Sequence, residues 1–357
     1  VFVTMVPIKL EASAGVIRNV HFQQLTGALN VTGVHVLAPI GPVSISNVTH
    51  ELWSYFNQSQ LIHVQSATLA PVTVTASQFV PAVSVGGGGF AHVRAEDSLG
   101  VAVADCALDS TGFLDPENAN SGRFSPIWFE NSSGSVDRVT LDVPAVTSNF
   151  TAGGIYVLGP RGEVAIRDSV VSGRGGAVTQ LLAIENVVDS TTVVERCDFS
   201  SIQSGPTRTT GLFASNSTFV VRESRFDVPG TSQAVFGFDV TTAARGRIEQ
   251  SRFLSHGTPT VTQHSIGGRV TADASLELYN NWFVANGPAG AFSAGLWLDG
   301  DFSVRAIGNT IEGGGTAGQP GESIGVRCDV TPGQGQATWS SNIVDGGLAA
   351  THFMVRD

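Results

Sequence analysis

The sequence predicts an all-β chain folded as a right-handed parallel β-helix, a solenoid of about twelve coils. Three observations predict it. One short phrase recurs along nearly the whole chain, as in VVRESRFDVPG (Val220 to Gly230), RIEQSRFLSHG (Arg247 to Gly257) and LELYNNWFVANG (Leu276 to Gly287). A second short apolar segment precedes each copy. No long stretch carries the 3.6-residue period of a helix.

Aligned on their last apolar residue, the phrases close at Phe22, near His50, and at Phe79, Leu108, Leu141, Val171, Phe199, Phe226, Phe253, Phe283, Ile311 and Ile343. From Phe79 onward the spacing stays between 27 and 33 residues. Within the copies apolar residues alternate, as at Leu276 and Leu278 or Val164 and Ile166. Alternation bounded by Gly, Ser, Asn and Pro marks strands. The preceding segments, among them LIHVQS, GIYVLG, GLFASN and GLWLDG, supply the second strand of each coil. Two strands and a variable third segment fit a three-sided coil. One such coil cannot bury its own apolar face, and stacking many does. Residues 1–357 therefore form one domain, either a whole protein or a segment of a longer one.

Two positions before the closing residue stands a small or amide side chain: Ser77, Cys106, Ser169, Cys197, Ser224, Ser251, Asn281, Asn309 and Ser341. Such side chains suit a tight inward corner and bond backbone groups that a turn leaves unpaired. Cys106 and Cys197 thereby become small core residues. Just before the corner come charged pairs, Arg167-Asp168, Glu195-Arg196, Arg222-Glu223 and Glu249-Gln250. Adjacent residues cannot both face out of a regular strand, so the second of each pair belongs at a bend. Stacked in register, the signs alternate at both positions, which sets register on a solvated face.

On these phrases, NNWF, GNTI and SSNI included, the chain resembles the right-handed parallel β-helix proteins, the superfamily of pectate lyases, polygalacturonases, phage tailspikes and many bacterial surface proteins. The resemblance is architectural. It implies that any enzyme here would act on acidic polysaccharides through clustered Asp, or through Ca²⁺ with Arg and Lys, on one face. Phrases of that kind are missing: SHG at Ser255 to Gly257 stands where such a family has GHG, and the nearest match to an epimerase DPHD is DPEN at Asp115 to Asn118. Asp299 and Asp301 in LDGDF read as turn residues. The glycine run Val85 to Phe90 lacks the Lys-Ser/Thr of a phosphate loop. No catalytic residue, metal or cofactor is expected.

Composition bounds the partners. With 42% apolar residues the 357-residue chain can form a large core. Its net charge of −11, with a single Lys at position 9, leaves no basic stripe for nucleic acid. No apolar run is long enough for a membrane span. Three cysteines make no disulfide framework. Six Asn-x-Ser/Thr sequons, at Asn30, Asn47, Asn57, Asn131, Asn149 and Asn216, permit glycosylation.

The candidate site lies on the strand that precedes each phrase. Its central outward position reads His35, His63, His92, Trp128, Tyr156, Ala183, Phe213, Asp239, Arg269, Trp297 and Arg327. Three histidines in a row could sense pH, but imidazoles spaced by a sheet do not converge on one metal ion; a row of aromatics points to sugar stacking or a protein interface; a covering loop would make it plain packing. The pair Asp239 and Arg269 is the catalytic fallback. The leading expectation is a non-catalytic extracellular or cell-surface rod, an adhesin or assembly component that binds a polysaccharide or surface glycan. The second is a polysaccharide lyase or glycoside hydrolase. The third is a filament or shell subunit, because no capping helix is seen at either end and a protein partner or another copy would cover the strand edges.

Overall fold

A computed structural model of the chain describes residues 4–23, 25–50, 53–79, 90–109, 123–143, 151–173, 178–186, 190–201, 207–230, 232–258, 262–288, 291–314, 323–329, 335–346 and 351–356. Among them every regular element is a strand, and the strands pair in parallel in two continuous sheets of 15 and 22 strands. Each turn gives one strand to the first sheet, here face A, and two to the second, faces B and C. One turn shows the plan: Ala234–Thr241 lies on face A, Arg245–Glu249 on face B and Arg252–Gly257 on face C. From Phe90 to Asp345 the plan repeats through about nine turns, slightly fewer than the dozen coils expected. The copies before Phe90 are less regular. There the strands Leu25–Leu37 and Trp53–Gln65 run 13 residues and slip in register between Leu25 and Asn30.

Between faces B and C the chain turns in two residues. The first is left-handed, with φ of +49° at Asp168, +52° at Arg196 and +49° at Glu223 and Gln250. The second member of each charged pair thus sits at a bend, as the alternation implies. Its N–H still reaches the next turn, as Asp168 N–H does to Glu195 O at 3.1 Å. The following residue points inward and forms a ladder. Ser224 N–H donates to Ser251 Oγ (3.1 Å), Ser251 N–H to Asn281 Oδ1 (3.0 Å), Asn281 N–H to Asn309 Oδ1 (2.9 Å) and Asn309 N–H to Asn342 Oδ1 (2.8 Å). The amides also donate back, Asn309 Nδ2 to Leu278 O at 2.9 Å. The ladder ends on Asn342 rather than Ser341. Val344 is the register partner of Ile311, so the last phrase closes one residue later than its pattern suggests and Ile343 is 66% exposed.

Asn309→Ala is expected to cost about 1–3 kcal/mol, because the buried N–H of Asn281 loses its acceptor. A lowered urea midpoint with unchanged slope is the readout.

The core is a stack of repeated side chains. Phe199, Phe226 and Phe253 lie nearly parallel, with centroids 4.6 and 4.7 Å apart. In the turn of Phe253 face A approaches the stack through glycine: a Cβ on Gly237 would meet Gly267 O at 2.3 Å and Phe253 Cβ at 2.9 Å. Cys106, Cys197 and Cys328 are buried and free, and burial pushes their thiols up to about 11, which leaves them protonated at neutral pH. On face B, Arg222 bridges Glu195 (3.2 Å) and Glu249 (3.3 Å), while Arg196 grips Asp168 at the corner (2.7 and 2.9 Å). The alternating charges neutralise one another in register, as expected of a solvated face.

Candidate functional site

On face A one column runs in register through Lys9, His35, His63, Arg94, Trp128, Tyr156, Ala183, Phe213, Asp239, Arg269, Trp297 and Arg327. The expected row is present except for His92. That imidazole is fully buried, edge-on to Phe90 at 5.0 Å. Arg94 takes its place, opposite both His63 and Trp128. The His-Val shared by LIHVQS and AHVRAE invites an alignment that is wrong by two residues. The left-handed corner after face A carries the correct register: Ser66, Asp97 and Asn131 each follow the row residue by three.

Without His92 there is no line of three histidines. His35 and His63 stack with centroids 4.9 Å apart and planes 7° from parallel, so their nitrogens do not converge on one ion. Each is engaged sideways instead, His35 Nε2 with Gln65 Oε1 at 3.3 Å and His63 Nε2 with Glu96 Oε2 at 3.0 Å. In the middle of the row only Phe213 stays half-exposed, and its neighbours are covered packing. Tyr156, Ala183 and Asp239 are 6%, 1% and 1% exposed.

Two clusters of arginine and aromatic side chains remain. In the first, Arg94 stands 5.0 Å from the Trp128 ring and Arg123 lies 3.6 Å over Tyr156. Arg94 donates to Glu130 (2.7 Å), and Arg123 to Glu185 (3.1 Å) and Gln180 (3.0 Å). Burial pushes the Tyr156 hydroxyl up to about 12, so it stays a neutral donor.

The second cluster is built around Asp239. Arg269 donates to both its oxygens, Nε to Oδ1 at 2.8 Å and Nη2 to Oδ2 at 3.0 Å, and Arg208 contacts it from the other side. With both oxygens held by guanidinium groups, Asp239 is poorly placed to act as a base. Phe236 is flanked by Arg208 and Arg269, each 4.9 Å from its ring. Trp297 follows, with Arg269 at 5.7 Å and Arg327 at 5.2 Å. Its Nε1–H donates to Asp329 Oδ2 at 2.9 Å, and Arg327 Nε donates to the same oxygen at 2.6 Å. Those bonds fix the indole. Burial, then the Arg269 charge, pushes Arg208 down to about 10. His264 and Phe292 close the edge, 6.4 and 5.6 Å from the Trp297 ring.

Sequence alternation misses Arg123, Arg208, Phe236, His264 and Phe292 for one reason. Face A strands carry an extra residue that takes no part in the pairing, Gly211 and Gly237 lying between the partners Thr210–Phe236 and Leu212–Phe238. The extra residue reverses the parity of everything before it. Glycine recurring at the head of GLFASN, GFDVTT and GLWLDG is the signal that marks it. His256 of the SHG phrase sits on face C, 3.0 Å from Asn286. The DPEN phrase, the glycine run before Phe90 and the sequon at Asn149 lie outside the described residues.

No family model and no curated protein matches the chain. Among solved structures, the A-module of the Azotobacter vinelandii mannuronan C-5 epimerase is similar, at 10% identity and a TM-score of 0.37, over 88% of this chain and 91% of that one. On its own strand order and register the chain is a parallel β-helix protein.

Proposed function

We propose that the protein is a non-catalytic extracellular rod that holds a polysaccharide along face A. The cluster at Trp297 carries this proposal: a fixed indole between two guanidinium groups, in a column that repeats at the strand spacing of about 4.8 Å. The half-buried indole, its faces taken by the two guanidinium groups, leaves its outer edge as an apolar surface against which a sugar ring can pack. Arginine forks supply donors for hydroxyls and carboxylates. Solenoids present extended surfaces of this kind to extended ligands. An extracellular setting follows from the ligand class. No helix among the described residues is long and apolar enough to cross a membrane.

Trp297→Ala is expected to weaken binding by about 2 kcal/mol, roughly thirtyfold in Kd, as is usual for a central aromatic anchor. Affinity electrophoresis through neutral and uronate-rich polysaccharides reads it, with no reducing ends released. Equal retardation of wild type and variant would remove the cluster from the function.

One pair favours the hydrolase or lyase alternative. Asp299 and Asp329 are register partners on adjacent turns. Burial, and then the charge of Asp329, push the Asp299 carboxyl up. A carboxyl biased to keep its proton beside a second carboxyl group suits acid–base cleavage of a glycosidic bond. Reducing-end release that disappears in Asp299→Asn would establish it.

A further inference from the structure

We infer that the N-terminal turns of the solenoid form an acid-labile segment, which opens at mildly acidic pH while the later turns stay folded. Five of the eight histidines fall within the first 92 residues, at His21, His35, His50, His63 and His92. Two of them, His50 and His92, are 0% exposed. His50 occupies the inward closing position of its turn, where its register partners are Phe22 and Phe79. His92 stands between Ala91 and Val93, whose partners are Gln60 and Ile62, at the extra residue of face A. The turn before it places Leu61 there, and most later turns place glycine, as at Gly237 and Gly267. The two imidazoles meet edge to face across the core at 6.1 Å.

Neither place suits a cation. The charges set against His50 are those of His21 and, across the core, His92; His92 faces His50. Burial pushes His50 down to about 4, and burial with the neighbouring His50 holds His92 well below the usual imidazole range. On the outside of the same turns His35 is held down by burial and then by the His63 ring stacked on it, with Lys9, Glu11 and Gln65 also beside it. Glu96 and Arg94 stand beside His63.

The sign follows from linkage. A histidine whose folded pKa lies below its unfolded value of about 6.5 takes its proton more readily when unfolded. Its contribution is complete above pH ~6.5 and falls about tenfold in the folding constant for each unit below that, down to the folded pKa. The later turns hold His256 and His264, both partly exposed, and His352 on the last strand, Thr351–Arg356; among the described residues from Val101 to Asp345 no turn has a sealed imidazole. The opened segment would bare the parallel edge of the turn that follows it.

Hydrogen exchange of the full chain at pH 7 and pH 5, corrected for intrinsic rates, tests this. The strands Val43–His50 and Phe90–Glu96 are expected to lose protection at least about tenfold, while Thr218–Arg222 and Ala274–Tyr279 keep theirs. The double variant His50→Phe, His92→Leu, which takes residues already found at those places in adjacent turns, is expected to abolish the loss. Uniform loss along the solenoid, or the same pH dependence in the variant, would overturn the inference. Imidazole C2 exchange on the wild type needs no variant: a His50 transition near the ordinary pKa of about 6.5 would overturn it equally, and a slow ring titrating well below that would support it.

Discussion

Asp239→Ala is expected to destabilise the protein by about 3–5 kcal/mol, the cost of breaking a buried ion pair from one side. The carboxylate is 1% exposed and lies between two arginines. Removing it leaves the guanidinium groups of Arg208 and Arg269 partly buried, like-charged and without their shared counter-ion. Arg208 is already pushed down by burial and by Arg269, so the site tolerates little further positive charge. Urea unfolding measures the loss. Asp239→Ala combined with Arg208→Ala is expected to recover part of it, because the two changes share one interaction. A single variant within about 0.5 kcal/mol of wild type would show that the cluster is solvated rather than sealed.

Phe226→Ala is expected to cost about 3–5 kcal/mol as well, by a different route. The ring is fully buried in the middle of the Phe199–Phe226–Phe253 stack. The turns above and below are held by the backbone ladders, so they cannot collapse into the hole. In a solenoid each turn is stabilised by its neighbours, and a cavity here weakens two interfaces at once. Phe226→Leu refills most of the volume and is expected to lose clearly less. Equal losses for alanine and leucine in urea unfolding would mean that the stacking geometry, not the volume, dominates.

The parts of this fold legible in the sequence are those that repeat at every turn. Phe199, Phe226 and Phe253 close successive phrases because each rests on the one before it. Ser224, Ser251, Asn281 and Asn309 recur because the corner leaves the same N–H to be bonded in every turn. Charged corner residues such as Asp168 and Arg196 betray the bend because two adjacent charges cannot share one face of a strand.

The candidate site is only half legible, because its key features do not repeat. The row from Trp128 to Arg327 follows the coil spacing and can be read. The extra residue on face A cannot be seen by alternation, so Arg208 and Phe236 fall on the wrong side of the strand. His92 falls outside the row because the His-Val pair shared by two neighbouring strands shifts the alignment by two residues. Burial of Tyr156 and Asp239 depends on what else lies over the row, which spacing within a strand does not carry.

The most direct test of the polysaccharide rod is side-chain oxidation footprinting of the wild-type protein, with and without a polysaccharide that retards it. Trp297, on face A, and Trp282, 38% exposed on face C, serve as paired reporters in one molecule. The account predicts that the ligand shields Trp297 and leaves Trp282 as reactive as before. Shielding of Trp282 with Trp297 unchanged would place the ligand on another face and contradict it.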